Sequence, residues 1–216
     1  MAVQSALKLY THKARLYQRF FIDFLQWEKV LGAYFQSESF LHSRMRILDA
    51  GCGTGPITRS LYSLARKRGF EGITFHAFDL TPAMLEIFRQ WIETEDAQNM
   101  HTVQADVLDL ESQLPHDWAG YDWIITSGML EYIPNADLEL ALGNLRGLLN
   151  PDGHLLLFAT RRNWITRWVG TSWWGANLFD QEKITLGLKS VGFKAIRFKD
   201  LPGYWRSFMM AVEASK

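Results

Sequence analysis

The residues best suited to chemistry form a glycine-rich segment, Asp49-Ala-Gly-Cys-Gly-Thr-Gly55, in a chain of 216 residues. It overlaps the end of an apolar run, Arg46–Ala50, that reads as a β-strand. Glycine lacks a Cβ and accepts positive φ, so a ligand can lie directly against such a turn. In parallel sheets, ligands bind beyond the carboxyl ends of the strands. The segment therefore predicts a ligand site after this strand.

The spacing of the glycines separates the kinds of nucleotide that this turn could hold. A dinucleotide fingerprint, G-x-G-x-x-G, would need glycine where Pro56 stands. A phosphate-binding loop would need a following Gly-Lys-Ser/Thr, which is missing. Asp49 would repel a pyrophosphate but suits an ammonium group. The turn thus favours a nucleoside that carries an amino acid.

Carboxylates at the ends of the next two predicted strands supply the other contacts of such a nucleoside. Asp79 can accept hydrogen bonds from both ribose hydroxyls, and Asp106 can accept one from an adenine amino group. Each of these aspartates alone could equally be a turn or helix-cap residue. Three residues nearby offer the adenine a backbone N–H or an apolar surface: Val107, Leu80 and Met84.

Strands and helices alternate from residue 46 onward, which indicates a parallel sheet with helices on both faces. Strands are predicted at Arg46–Ala50, Ile73–Asp79, Met100–Gln104, Tyr121–Thr126 and His154–Thr160. Helices are predicted at Ile57–Lys67, at Met84–Trp91 with Pro82 in its first turn, and at Ala136–Leu149. A turn is expected at Asn150-Pro-Asp-Gly. The last two strands, Phe193–Lys199 and Ser207–Glu213, are joined by a loop short enough to require antiparallel pairing.

Residues 1–45 do not follow this alternation and read as two helices, Ser5–Tyr17 and Phe20–Phe35. We therefore divide the chain into an N-terminal helical cap, residues 1–45, and a ligand-binding domain, residues 46–216.

Taken together, these segments resemble the class I S-adenosylmethionine-dependent methyltransferases over roughly residues 45–215. The matching runs are ILDAGCGTG (47–55), FDLTPAML (78–85), QADV (104–107), YDWIITSGMLEYIP (121–134) and LLNPDGHLLL (148–157). The resemblance implies a Rossmann-like, seven-stranded sheet with an antiparallel last strand, and S-adenosylmethionine as cofactor. It places the methionyl group on Asp49, Gly51, Gly53 and the Ser127 backbone, the ribose on Asp79, and the adenine on Asp106 and Val107.

The first predicted helix has a basic face formed by Lys8, His12, Arg15 and Arg19 and a neighbouring apolar face that includes Tyr10 and Tyr17. The basic face is either simply solvated, or it belongs to a lid with both tyrosines turned inward. The resemblance favours the lid. The predicted cofactor site is then Tyr10, Tyr17, Asp49, Ala50, Gly51, Cys52, Gly53, Asp79, Leu80, Met84, Asp106, Val107, Ser127 and Gly128.

The sequence shows no decisive catalytic constellation. The residues that could face the methyl group are His12, Tyr10, Tyr17, Glu131 and Tyr132. Of these, His12 and Tyr132 are the candidates for a base, although many relatives carry histidine where Tyr132 stands. Cys52 is expected to be a small packed residue. The six histidines are scattered along the chain, so no metal site is expected.

The composition of the segment Arg161–Phe179 gives information about the chemistry of the methyl acceptor. It contains Trp164, Trp168, Trp173 and Trp174, together with three arginines. Such a composition suits an aromatic or anionic acceptor, the headgroup level of a membrane, or an aromatic mini-core.

Overall composition narrows the class of protein. The 23 basic and 23 acidic residues balance, and no amino-methylating Asn/Asp-Pro-Pro-Tyr/Phe motif follows the fourth strand, so a nucleic-acid acceptor is not expected. A single cysteine and the lack of a signal-like or membrane-spanning stretch predict a cytoplasmic protein.

We expect an enzyme that methylates a small apolar or aromatic acceptor at O or N. The alternatives are a catalytically weak cofactor-binding protein acting through a partner, and a lipid- or protein-acceptor methyltransferase.

Overall fold

A computed structural model of the protein describes residues 27–162, 166 and 177–216. The strands are β1 (Arg46–Ala50), β2 (Thr74–Asp79), β3 (Met100–Gln104), β4 (Tyr121–Ser127), β5 (Leu149–Thr160), β6 (Lys194–Lys199) and β7 (Met209–Ser215). The described α-helices are α1 (Trp27–Ser37), α2 (Pro56–Arg68), α3 (Pro82–Thr94), α4 (Leu110–Gln113), α5 (Leu138–Leu148) and α6 (Gln181–Ser190).

The seven strands form one sheet in the order β3-β2-β1-β4-β5-β7-β6. All neighbouring strands run parallel except β7, which is antiparallel to both β5 and β6. The predicted fold class is therefore confirmed. The chain proceeds outward from β1 to β3 and then crosses over to β4 on the other side of β1. This reversal opens a crevice at the carboxyl ends of β1 and β4, where ligands bind in sheets of this kind.

Strand residues alternate between two apolar clusters, one on each face of the sheet. Leu48 of β1 belongs to the cluster that includes Leu142 of α5 and Leu188 of α6. Its neighbour Ile47 belongs to the cluster on the other face, with Leu61 of α2. Each face is thus covered by helices, which explains why the central strands β1, β4 and β5 bury residues that point to both faces.

Helix α1 packs into the second of these clusters. It buries Trp27, Leu31, Tyr34 and Phe35, and the Trp27 ring centroid lies 4.7 Å from that of Trp205. Residues 27–37 therefore share a core with the sheet. The division of the chain at residue 45 stays a prediction, because the first predicted helix lies outside the described residues.

The turn predicted at Asn150-Pro-Asp-Gly is part of β5 instead. Pairing with β4 passes from Tyr121 opposite Leu149 to Trp123 opposite His154, so the intervening residues form an irregularity in the strand. A Cβ on Gly153 would lie 2.7 Å from the Tyr121 carbonyl oxygen, so the close approach of the two strands requires glycine there. Among the described helices, none is long and apolar enough to cross a membrane.

Candidate functional site

A cleft opens at the carboxyl ends of β1, β2, β3 and β4, where the sequence predicts the cofactor site. The predicted cofactor-binding residues that line it are Gly51, Gly53, Asp79, Leu80, Met84, Asp106, Val107, Ser127 and Gly128. Tyr132, a candidate catalytic residue, also lines the cleft. Tyr10, Tyr17 and His12, and the four tryptophans of the 161–179 segment, lie outside the described residues.

The three glycines of the turn have positive φ but different surroundings. A Cβ on Gly51 would lie 2.7 Å from Cβ and Cγ of Met129, and one on Gly55 would lie 2.3 Å from the Phe88 ring. A Cβ on Gly53 meets no described atom within 4 Å. Gly53, at φ +54°, also lines the cleft. Gly51 and Gly55 are thus required by the protein's own packing, and Gly53 is the glycine that leaves room for a ligand.

Asp79 joins the end of β2 to the glycine turn. Its Oδ2 accepts a hydrogen bond of 2.8 Å from the Gly53 N–H, and its Oδ1 accepts one of 2.8 Å from the Thr81 N–H. Burial raises the pKa of this carboxyl group, and the two backbone hydrogen bonds oppose the rise. A carboxylate has about four lone-pair positions, so Asp79 keeps acceptor capacity for ribose hydroxyls.

Asp106 acts as a helix cap and also faces the cleft. Its Oδ1 accepts a 3.0 Å hydrogen bond from the Leu108 N–H, at the start of a 3₁₀ turn formed by Val107–Asp109. Its own N–H donates to Gln113 Oε1 over 2.7 Å. Asp106 is therefore a helix-cap residue, and it also lies in the cleft wall.

Asp49, Ala50 and Cys52, by contrast, lie buried and do not line the cleft. Asp49 Oδ2 accepts hydrogen bonds from Thr58 at the start of α2, 3.2 Å from N and 2.8 Å from Oγ1. Its Oδ1 has no hydrogen-bond partner among the described residues. Burial, the largest cause, raises the Asp49 pKa to about 7. The predicted contact of Asp49 with an ammonium group stays a prediction.

Cys52 packs in a small cluster with Ala77, Leu85 and Phe88. Burial, followed by the charges of Asp49 and Asp79, raises the pKa of its thiol. Since the thiolate is the reactive form, this residue is suited to packing and not to nucleophilic attack. In the part of the chain that the structure describes, no group of three or more His, Cys, Asp or Glu side chains could hold a metal ion.

Several residues of the cleft wall were not predicted from the sequence. They are Phe78, Thr81, Ala105, Leu108, Met129 and Ile133. All but Ile133 adjoin a predicted residue at a strand end, so extending each strand-end motif by one residue would have found them. Ile133 follows Tyr132 in the loop after β4, and no local signal distinguishes it from other apolar residues.

Comparisons with known proteins agree with this architecture. A family model described as a methyltransferase domain matches residues 48–155, which is half of the chain. A highly reducing polyketide synthase of Calcarisporium arbuscula is 33% identical over 126 residues, covering 55% of this chain and 4% of that protein. A malonyl-[acyl-carrier protein] O-methyltransferase of Halalkalibacterium halodurans is 32% identical over 114 residues, covering 53% of this chain and 38% of that protein.

Magnesium protoporphyrin IX methyltransferase of Synechocystis PCC 6803, solved with bound S-adenosylhomocysteine, shares the fold with a TM-score of 0.74 at 16% identity and complete coverage of both chains. Fold and cleft together define a Rossmann-like nucleoside-binding protein. The chain belongs to the class I S-adenosylmethionine-dependent methyltransferases. It spans from 4 to 38% of the length of the two curated relatives named above.

The described residues fit the family's cofactor, S-adenosylmethionine. Asp79 and Asp106 offer carboxylates after β2 and β3, Leu80 and Met84 offer apolar surface for the adenine, and Gly53 offers an unobstructed backbone after β1. These features follow the strand order, so an elongated ligand can lie across the strand ends with its adenine toward β3 and its methionyl group toward β4.

Gly53→Ala is expected to weaken binding of S-adenosylhomocysteine by about tenfold or more, because the new Cβ projects into the cleft. Its stability cost should be about 1–2 kcal/mol, the cost of placing alanine at positive φ. Gly69→Ala is the matched control, since Gly69 has φ +68° and open space around it but lies at the far end of α2. Isothermal titration calorimetry and urea unfolding measure the two effects. Equal affinities in the two variants would contradict the role of Gly53.

Proposed function

We propose that this protein transfers the methyl group of S-adenosylmethionine to oxygen or nitrogen of a small apolar or aromatic acceptor. One observation carries the proposal. The cleft wall that follows β4 is formed by the apolar or aromatic side chains of Met129, Tyr132 and Ile133. The adenine and ribose contacts lie at the other end of the cleft, after β2 and β3. The methionyl end of a bound cofactor would lie toward β4, so the wall after β4 lies beside the place where an acceptor must approach the methyl group.

Bound S-adenosylmethionine supplies an electrophilic methyl group on a positively charged sulfur. The protein's share of such a reaction is to align the acceptor and to exclude water from it. The apolar wall of Met129 and Ile133 serves the exclusion of water. A hydroxyl or protonated amine acceptor also needs a base within hydrogen-bond reach. Of the two predicted candidates, Tyr132 is the one whose position is described, and it lies in the cleft wall.

The composition of the 161–179 segment supports an aromatic acceptor, because tryptophan rings stack on aromatic ligands. Two of its residues, Arg161 and Phe179, pair in a β-bridge next to the carboxyl end of β5. Arg161 itself is engaged elsewhere, since its Nε donates to the Met209 carbonyl over 3.0 Å and its Nη2 lies 3.3 Å from Asp200 Oδ1. The proposal therefore rests on the aromatic character of this segment and not on Arg161 as an anion ligand.

A second candidate is methylation of an acyl group carried on a protein. It is favoured by the names of the relatives, which include polyketide synthases and a malonyl-[acyl-carrier protein] O-methyltransferase. In this version the apolar wall after β4 would contact the acyl chain. We extend neither proposal to nucleic acid, and we propose a cytoplasmic location on the strength of the single cysteine, which is buried.

The experiment that tests both candidates is release of S-adenosylhomocysteine by the purified protein with a panel of acceptors. The panel pairs small aromatic alcohols and amines with malonate, and with malonyl groups loaded on a carrier protein. Turnover of the free aromatic compounds supports the first candidate. Turnover of only the carrier-bound substrate supports the second. Binding of S-adenosylhomocysteine without any turnover would overturn both, and would leave a cofactor-binding protein that acts through a partner.

A further inference from the structure

Glu131 is a buried carboxylate that does not line the cofactor cleft. It lies in the 3₁₀ turn Leu130–Tyr132, four residues after the end of β4, and is 2% exposed. Its Oε1 accepts hydrogen bonds from Thr160, 2.8 Å from N and 2.9 Å from Oγ1. Its Oε2 finds no hydrogen-bond partner among the described residues. Burial raises the pKa of this carboxyl group. A buried carboxylate costs folding free energy, so its presence calls for a role beyond packing.

The backbone around Glu131 is fixed to a third segment of the chain. The Asn177 N–H donates to the Glu131 carbonyl over 2.7 Å, and Asn177 Nδ2 donates to the Ile133 carbonyl over 2.7 Å. Asn177 thus spans Tyr132, holding the residue on each side of it. Hydrogen bonds from Phe179 N to the Thr160 carbonyl and from Arg162 N to the Phe179 carbonyl complete the connection.

These bonds form a network, which we call the Glu131 tie, among residues 131–133, 160–162 and 177–179. The tie lies at the carboxyl ends of β4 and β5. In the strand order this is the side of β1 away from β2 and β3, where Asp79 and Asp106 lie. The described residues that belong both to the tie and to the cleft wall are Tyr132 and Ile133. Loss of the tie should therefore change the wall beside the acceptor and spare the ribose and adenine contacts after β2 and β3.

We propose that Glu131 is a positioning residue that sets acceptor affinity, by holding Tyr132 and Ile133 in the cleft wall through its bonds to Thr160. Asn177 shares this role. The inference rests on the proposed methyl transfer to an acceptor. The Glu131 carboxyl group acts through the tie and does not itself line the cleft.

The test is steady-state kinetics with an acceptor found in the panel described above, together with calorimetric binding of S-adenosylhomocysteine. Glu131→Ala removes the acceptor of both Thr160 bonds, so we expect the acceptor KM to rise about tenfold or more. The affinity for S-adenosylhomocysteine should stay within about twofold, because the ribose and adenine contacts of Asp79 and Asp106 lie after β2 and β3, and the contact predicted at Ser127 is made by the backbone at the end of β4. Glu131→Gln keeps a carbonyl oxygen at the position of Oε1 and should recover most of the loss.

Two further variants keep the test decisive if Glu131→Ala does not fold. Asn177→Ala removes the Nδ2 bond to Ile133 and should also raise the acceptor KM, by a smaller factor. Asp122→Ala is the matched control, because Asp122 also joins separate segments, accepting from Arg46 N and Asn150 Nδ2, but it lies at the opposite end of β4. Asp122→Ala should leave the ratio of the acceptor KM to the Kd for S-adenosylhomocysteine unchanged.

The outcomes separate this inference from the proposed function. Turnover by the wild-type protein with an unchanged acceptor KM in Glu131→Ala or Asn177→Ala overturns the inference alone. Parallel losses of acceptor and cofactor binding also overturn it, since they would show a general structural role. A wild-type protein that methylates no acceptor overturns the proposed function, and the inference with it.

Discussion

Replacing Gly55 with alanine is expected to lower the free energy of unfolding by about 2–5 kcal/mol. Gly55 has φ +84°, which costs an alanine about 1–2 kcal/mol. The added Cβ would also lie 2.3 Å from two carbons of the Phe88 ring. Phe88 is fully buried beside Cys52 and Leu85, so it cannot move aside without disturbing the packing under the turn. Overpacking of this kind costs about 1–3 kcal/mol more. Urea unfolding followed by circular dichroism measures the change.

The same Gly69→Ala variant separates the two contributions to this loss. It carries the backbone cost of positive φ but no steric overlap, so its loss should be about 1–2 kcal/mol. Replacing Phe88 with leucine in the Gly55→Ala protein should recover part of the difference, because leucine occupies less of the contested volume. Equal losses at positions 55 and 69 would show that Phe88 yields readily and that Gly55 is a turn residue only.

The contrast between Gly53 and Gly55 shows what the sequence could and could not predict about the site. The spacing of the glycines placed the turn correctly after β1, because glycine punctuation and apolar runs are local signals. The role of each glycine was not predictable. Phe88 and Met129, which decide the roles of Gly55 and Gly51, lie far along the chain on α3 and after β4. Such roles depend on tertiary contacts, which spacing alone does not contain.

The fold was predicted more fully than the site for the same reason. β1 and β3 begin and end at the predicted residues, and β1 ends directly before the glycine turn, which is a local signal. Where prediction failed, at Asn150–Gly153, a strong turn sequence was accommodated inside β5 as an irregularity between the pairs Tyr121–Leu149 and Trp123–His154. Glu131 illustrates the limit at the site. The sequence marks it as a residue that could face the methyl group, whereas its connection to Thr160 and Asn177 exists only once β4 and β5 are neighbours.

Asp49→Asn is expected to remove a pH dependence of stability that the wild-type protein should show. Burial raises the Asp49 pKa to about 7 in the folded protein, whereas a carboxyl group in an unfolded chain titrates near ~4. Between these values the folded state holds a proton that the unfolded state has released. The contribution of Asp49 to stability is therefore fully present below about pH 4 and is lost as the pH rises to about 7. The separation corresponds to about 4 kcal/mol.

The measurement is urea unfolding of both proteins at several pH values from 4 to 8. The wild-type protein should lose stability relative to Asp49→Asn across this range. Subtraction of the two curves removes the contribution of Glu131, whose pKa is also raised, and leaves that of Asp49 together with its charge interaction with Asp79. Thr58→Val provides a directional control. The Thr58 hydroxyl donates to Asp49 and lowers the pKa of that carboxyl group, so its removal should move the transition to higher pH. Parallel curves for wild type and Asp49→Asn would contradict the prediction.

The Asp49→Asn variant also tests whether Asp49 contacts the cofactor. Its Oδ1 lacks a hydrogen-bond partner in the described part of the chain, and an ammonium group there would stabilise the ionised form and lower the Asp49 pKa. If the predicted contact with the methionyl amino group exists, S-adenosylhomocysteine should flatten the pH dependence of the wild-type protein, and Asp49→Asn should bind it more weakly. If Asp49 only anchors the start of α2 through Thr58, the two proteins should bind S-adenosylhomocysteine equally at pH 8. The pH dependence of stability therefore reports on the burial of the Asp49 carboxyl group, and the binding of S-adenosylhomocysteine reports on the contact predicted for its Oδ1.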